Sequence, residues 1–504
     1  MRWVVFILLV AISAGFVYAF YLWQIPPAGE TFSAELAENT SQSNPCGLKT
    51  GKPDFLTKQT CNSTACHGAI RPVDKAAILR NEYRVWFDRD PHAGALRVLG
   101  NPASQRMVTY LAGNNPGAGT FQAVYRRCFA CHNTTIEKVP DRLVTSEAEF
   151  DREPEHEGVG CQACHGPASD WENIHYFDCW KEFTGEKKEQ YGLIDTKNLL
   201  KRAETCARCH VGESGRDVDH DLIAAGHPQM KFELAGYLEL MPVHWNVETD
   251  RSRHTDFERE LWAAGQIASV NAALVLLETR AKKTAAADAS ARRWPEFSEY
   301  DCFACHHDLN ESTWRQERGF TTTGGRVLLP WGVWHYAILP ELARTGQNPA
   351  GTDFSTAFED LEKTMQSGFF PDPLAVARQA ETARSALSKW IEAEGLKTPI
   401  GQLGKTLNTI RDPVDSPRTW DQAVQLYLAA HVQVHSPDLD LPQDRIVELE
   451  ARLAVIRDGL GFSDGYQSPK SFPLGLRSKG DVRQLLKELI EELPGDSPPR
   501  EPAR

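Results

Sequence analysis

Four times the chain shows two cysteines two residues apart with a histidine directly after: Cys128-Phe-Ala-Cys131-His132, Cys161-Gln-Ala-Cys164-His165, Cys206-Ala-Arg-Cys209-His210 and Cys302-Phe-Ala-Cys305-His306. This is the attachment motif of c-type haem. The two thiols form thioethers to the vinyl groups on one porphyrin edge. The next residue then lies under the iron, where imidazole is the proximal ligand. At this composition chance supplies on the order of 0.01 such matches in the whole chain, so four of them decide the class. A fifth, looser copy reads Cys61-Asn-Ser-Thr-Ala-Cys66-His67, and Gly68 after its histidine repeats the pattern at Gly166. The competing reading of this copy takes Cys61 and Cys66 as ordinary thiols, with Cys61 bonded to Cys46. We read five covalently bound haem c groups, with His67, His132, His165, His210 and His306 as proximal ligands.

Paired Cys-x-x-Cys units also build four-thiolate zinc sites. Zinc has no need for a histidine after every second cysteine, and it does not explain an export signal. Ten of the twelve cysteines are thereby assigned. Cys46 and Cys179 remain, and in an oxidising compartment they are candidates for a disulfide that spacing alone cannot place.

Sixteen histidines less five proximal ones leave eleven for distal positions. A haem with a second histidine is low-spin and closed, whereas one without it has an open position for a small molecule. Four spare histidines have distinctive neighbours. His92 lies in Asp90-Pro-His-Ala-Gly-Ala, and His175 follows the block Gly158-Val-Gly-Cys-Gln-Ala-Cys-His-Gly-Pro-Ala. His227 is in Ala224-Ala-Gly-His-Pro and His244 in Met241-Pro-Val-His-Trp. On these segments and the Cys302-Phe-Ala-Cys-His-His-Asp-Leu block, residues 55–320 resemble the cytochrome c-554-like multihaem family. The resemblance implies a mostly helical, loop-rich core of closely spaced haem pairs, with His92, His175, His227 and His244 as distal ligands. It also implies His307, next to a proximal histidine, as a ligand to a neighbouring haem. The chain departs from the four-haem family type by its fifth site and its long C-terminal region. His220, His254 and His335 are reserve candidates, with His156 behind them. Met107, Met230 and Met241 are alternative ligands better explained by packing.

The expected architecture is mainly α: a loop-rich multihaem cytochrome c core with a C-terminal helical bundle and an N-terminal membrane anchor. Residues 1–23 carry an apolar run from Val4 to Trp23, about the 20 residues a spanning helix needs. Arg2 before the run and Glu30 and Glu35 after it put the body outside the cytoplasm. Val17-Tyr18-Ala19 also satisfies a small-residue cleavage rule, so a removed signal is the alternative. Residues 24–45 read as a linker, 46–340 as the pentahaem core, 345–493 as a cysteine-free helical domain and 494–504 as a disordered tail. Thr255-Asp-Phe-Glu258 is a capping-box pattern opening a helix. Leu261, Ala264, Gly265, Ala268, Ala272 and Val275 on one face of it suit either a haem plane or another helix. Further helices are expected near 355–367, 374–395, 419–431, 445–460 and 480–493. His431 and His435, one turn apart, read as core residues and not as ligands.

With a formal charge of −13 the chain is not a nucleic-acid binder. The pattern points to a carrier moving electrons between redox partner proteins. It would act at the inner membrane with its body in the periplasm, or free in the periplasm if the signal is cleaved. An oxidoreductase acting on a small nitrogen or sulfur compound at a five-coordinate haem is the alternative. A membrane-anchored quinol-oxidising subunit is a third reading, for which the body is larger than needed.

Overall fold

The computed structural model describes residues 46–47, 52–56, 61–73, 78–152, 157–286, 294–302, 322–323, 326–327, 331–332, 334–346, 348–396, 403–404, 406–407, 420–436, 441–460 and 482–493. The N-terminal apolar run, the linker, His156, Cys305, His306, His307 and the Pro-rich end lie outside the described residues.

The chain divides into two compact units, Met1–Gly51 with Glu172–Phe183 and all the rest. In chain order the helices are α1 (Glu82–Arg89), α2 (Pro102–Ala112), α3 (Ala118–His132), α4 (Cys161–His165), α5 (Asp178–Lys181), α6 (Gly185–Glu189), α7 (Leu199–His210), α8 (His220–Ala224), α9 (Leu234–Leu240), α10 (Val247–Arg251) and α11 (Phe257–Ala286). They continue with α12 (Leu339–Thr345), α13 (Pro349–Met365), α14 (Pro373–Glu394), α15 (Trp420–Val434), α16 (Gln443–Leu460) and α17 (Val482–Glu492). The strands among the described residues are one antiparallel pair, Thr322–Thr323 with Arg326–Val327. In the first unit a disulfide joins Cys46 to Cys179 on α5. That pairing removes Cys46 as a partner for Cys61.

The helices start where sequence chemistry favours it. Asn101, Asn198 and Asp372 each accept a first-turn backbone N–H, and proline opens α2 and α14. The start of α11 differs from the expected box at Thr255. Asp256 is the cap, its Oδ1 accepting from Arg259 N at 3.2 Å. Glu260 reaches back to the N–H groups of Thr255 and Asp256. A carboxylate is the stronger acceptor for these orphan donors, so it takes the position from the hydroxyl.

α11 is the element around which the second unit is organised. It is long and apolar enough to cross a membrane by length and composition, but 78% of its most apolar window is buried in the protein. One side carries Leu261, Ala264 and Ala268 against α7 and α9. A Cβ on Gly265 would lie 2.6 Å from Leu234 Cβ, so the small residues serve close helix packing. The other side carries Trp262, Ile267, Val270, Leu274 and Leu277 into a core shared with α12 to α17. A third cluster, Leu96, Val108, Tyr125, Phe129 and Phe150 among others, joins α2 and α3 to the loops beside them.

Candidate functional site

On a helix, residues i, i+3 and i+4 share a face. Cys-x-x-Cys-His therefore presents both thiols and the imidazole to one side. α3, α4 and α7 each end on the motif histidine, at His132, His165 and His210. Cys61 and Cys66 are five apart and share no helical face. Residues 61–67 accordingly form turns, with Cys66 N and Gly68 N both donating to Ser63 O at 2.9 Å.

Two motif histidines face a histidine from elsewhere in the chain. The rings of His132 and His227 are 6.3 Å apart, centroid to centroid, at 88°. Those of His92 and His210 are 6.0 Å apart at 81°. Two imidazoles bound to opposite sides of one metal, at a metal–nitrogen distance of about 2 Å, put their centroids roughly 6.3 Å apart. His244 and His67 both lie close enough to His165 to bear on its charge. His175 belongs to the first unit, whose described residues include no motif histidine.

A ligating histidine usually donates its other ring N–H to an oxygen, which fixes the ring and leaves Nε2 for the metal. Six of the histidines share that arrangement, whereas Nδ1 of His210 is buried without a partner. Nδ1 donates to Glu82 Oε2 in His67 (3.0 Å), Asp90 Oδ1 in His92 (2.9 Å) and Ala95 O in His132 (2.7 Å). In His175, His227 and His244 it donates to the carbonyls of Glu172 (2.6 Å), Pro228 (2.8 Å) and Pro242 (3.3 Å). His435 differs, because its Nε2 is held by Glu450 and its Nδ1 by the His431 carbonyl. It stacks on His431 at 4.4 Å, away from any described motif, in keeping with two non-ligand residues.

The local sequence explains these positions. In Asp-Pro-His, one carboxylate oxygen of Asp90 accepts from both the backbone N and the ring Nδ1 of His92. Gly158, at φ +80°, lets the chain pass the His92 carbonyl, which a Cβ would meet at 2.8 Å. In Ala-Gly-His-Pro, Gly226 has φ +118° and turns the chain out of α8 into His227. That backbone angle favours glycine.

Electrostatics keep the rings in ligand form. Burial pushes His165 and His210 down to about 4 and lowers His132 and His244, so all four are neutral at pH 7. The hydrogen bonds from Glu82 and Asp90 raise His67 and His92 instead, making them stronger bases. Glu82, fifteen residues from His67, has no signature in the sequence. Nor do Phe232 and Tyr237, whose rings lie 5.5 Å and 5.0 Å from His210.

The motifs follow one another in space in an order unlike that of the chain. The Cys61 thiol meets Cys161. Cys164 bears electrostatically on Cys206, and Cys209 meets Cys131. Cys302 Sγ donates to Gln229 Oε1 at 3.6 Å, two residues after His227. Cys305, His306 and His307 lie outside the described residues. His254 is a reserve candidate whose Nδ1 is held by Glu260, while its Nε2 is buried without a hydrogen-bond partner.

The residues present fit haem. Ring pairs have iron-spanning distances, Nδ1 is tied in six of the rings, and Ile70, three residues from His67, stands exposed. They do not fit zinc, since among the described residues no three His, Cys, Asp or Glu side chains converge on a metal position.

Residues 60–166 match the family described as cytochrome c554 and c-prime. The matched stretch holds the motifs at Cys61, Cys128 and Cys161, and those at Cys206 and Cys302 lie beyond it. It is shorter than the 55–320 over which the motifs carry the resemblance. Neither the curated proteins nor the solved structures contain a match to the chain. The matched stretch is thus similar to a c-type cytochrome of that family, which is consistent with covalently bound haem c and electron transfer.

Proposed function

We propose that the chain is a pentahaem electron relay, held at the inner membrane by residues 4–23 with its body in the periplasm. The observation that carries it is the pairing of motif histidines with second histidines at the spacing of rings that share an iron, His132 with His227 and His92 with His210. An iron so closed exchanges electrons and does not bind a substrate. Haem supplies the redox change, and the chain's own groups do the rest. The thiols would hold each haem covalently, and the histidine pairs would supply its nitrogen ligands. Glu82 and Asp90 orient two of the rings and strengthen them as donors. His165 and His244 are read as a third ligand pair. His175 and His307 keep the ligand roles that the family resemblance implies.

The row of motifs supports conduction through the molecule, from Cys61/Cys66 through Cys161/Cys164 and Cys206/Cys209 to Cys128/Cys131 and Cys302. Donor and acceptor proteins would dock at its two ends. With a net charge of −13 the relay suits basic or neutral partners. One preparation of the full chain tests the proposal. It should fractionate with membranes, give a haem-to-protein ratio near 5 in alkaline pyridine, and show low-spin iron that does not bind carbon monoxide when reduced. A mature chain beginning near Phe20 would overturn the anchor. A ratio of 4 would empty the Cys61/Cys66 site, and stoichiometric carbon monoxide binding would favour an enzyme.

A further inference from the structure

His244 is the least secured of the six tied rings, because its Nδ1 bond to the Pro242 carbonyl is the longest, at 3.3 Å. Its ring also meets that of Trp245, the next residue, with centroids 5.2 Å apart at 86°. What holds Trp245 therefore bears directly on where His244 stands. The indole lies against the guanidinium of Arg202, whose Cζ is 5.9 Å from the ring centre, within reach of a cation–π contact.

Arg202 is itself fixed from three directions. It sits on α7, one turn ahead of Cys206 and on the same face. Its Nη1 and Nη2 donate to the two carboxylate oxygens of Asp250 at 2.9 Å and 3.0 Å, and both side chains of this pair are largely buried. Asp250 belongs to α10, whose cap Asn246 directly follows Trp245. Arg202 Nε donates to Thr196 O at 2.8 Å. Thr196 closes a turn in which its own N donates to Ile194 O, while Ile194 N donates to the His165 carbonyl at 3.0 Å. One guanidinium thus ties the main chain beside His165 to the segment that carries His244. Arg202 also lies close enough to both histidines to act on their charges. Only a planar fork makes a bidentate pair, a third hydrogen bond and a ring stack together, so lysine is no substitute here.

We propose that Arg202 is the positioning residue for His244: clamped to Asp250 and stacked on Trp245, it keeps that ring in register with His165 as the second ligand of one iron. The inference rests on the reading that His165 and His244 serve the same haem. Arg202 acts through the indole on one side and through the Thr196 turn on the other. Its role is geometric, since the Asp250 carboxylate balances its charge.

The test uses the full-length, haem-loaded protein and the variants H244A, R202K, W245A, W245F and H244A/R202K. The haem-to-protein ratio is measured first and should be the same in all of them. Ferric samples are then examined for high-spin iron, and reduced samples are titrated with carbon monoxide. H244A should gain one high-spin iron and bind one more carbon monoxide per chain than wild type. R202K keeps a cation beside Asp250 but loses the fork and the stack. It should open the same iron, as should W245A, which leaves the ion pair in place. W245F keeps a ring face for the guanidinium and should stay low-spin. H244A/R202K should bind no more carbon monoxide than H244A alone. No gain in H244A would overturn the shared iron of His165 and His244, and this proposal with it. A gain in H244A, with R202K or W245A like wild type, would overturn the role of Arg202 alone. So would high-spin iron in W245F, or a second carbon monoxide in the double variant, which would put the effect of Arg202 at another iron. Loss of a haem from both R202K and W245A would show a role in folding or attachment, and would overturn the positioning role as well.

Discussion

His227 takes its orientation from its own loop. Gly226 turns the chain, the His227 backbone N donates to Leu222 O at 3.1 Å, and its ring Nδ1 donates to the Pro228 carbonyl. Those bonds aim Nε2 away from its own loop, and the ring stands 6.3 Å from that of His132. His92 reaches the same result through Asp90, a carboxylate that burial pushes up and the His92 hydrogen bond brings back below its usual range. Short segments of this kind were legible in the sequence because a turn residue, a proline or an acid stands next to the histidine it orients. Which histidine each motif faces was not legible, since His227 lies 95 positions beyond His132 and only the fold brings them together. The pairing makes a definite prediction. H227A should keep its full number of haems, gain one high-spin iron and bind one carbon monoxide per chain when reduced. H92A should do the same at a different iron, and the double variant should open two. Wild-type spectra from H227A would mean that the ring spacing arises from packing alone.

α9 shows the same economy at the scale of an element. Its cap is Glu233, whose two carboxylate oxygens accept from Ala235 N at 3.1 Å and Gly236 N at 2.8 Å. Burial pushes the Glu233 carboxyl up to about 7, and the two backbone bonds only partly offset it. The folded protein therefore holds a proton on Glu233 at pH values where the unfolded chain has lost it. Stability from this group is full below the unfolded value near 4.5 and is lost as pH rises through about 7. E233Q removes the titration and keeps one of the two acceptors. Between pH 5 and pH 8 wild type should lose stability relative to the variant, by up to roughly 3 kcal/mol. Equal melting temperatures at both pH values would show that Glu233 stays charged in the fold. The helices at Pro349–Met365, Pro373–Glu394 and Gln443–Leu460 fell close to where periodicity placed them. α15 buries Asp421, Gln425 and Gln433 along with its apolar residues. A helix covered on every side has no polar face for periodicity to detect.

At the scale of the molecule, α11 decides how separable the haem region and the cysteine-free helices are. The expected boundary near residue 345 assumed a bundle resting beside the haem core, so that a chain cut there would lose no haem. Covalent attachment upstream still makes that true of stoichiometry. Packing gives a different answer for solubility. Trp262, Val270, Leu274 and Leu277 are fully buried in a core completed by Phe354, Leu361, Ala380, Trp390 and Leu453. Removing residues 347–504 would return those α11 side chains to water at about 1.5–3 kcal/mol each. Four of them already cost roughly 6–12 kcal/mol, which is comparable with the whole stability of an ordinary domain, about 5–15 kcal/mol. The buried Lys231–Asp421 ion pair would go too, leaving Lys231 without the carboxylate beside the Cys302 motif. Haem-stained gels of soluble and insoluble fractions check the outcome. The truncated chain should carry its haems but collect in the insoluble fraction or be degraded, and W262A in the full chain should lose about 3–5 kcal/mol by the same mechanism. A soluble truncated monomer that melts at the wild-type temperature would mean that α11 finds sufficient cover from α7 and α9, with the C-terminal helices an independent appendage.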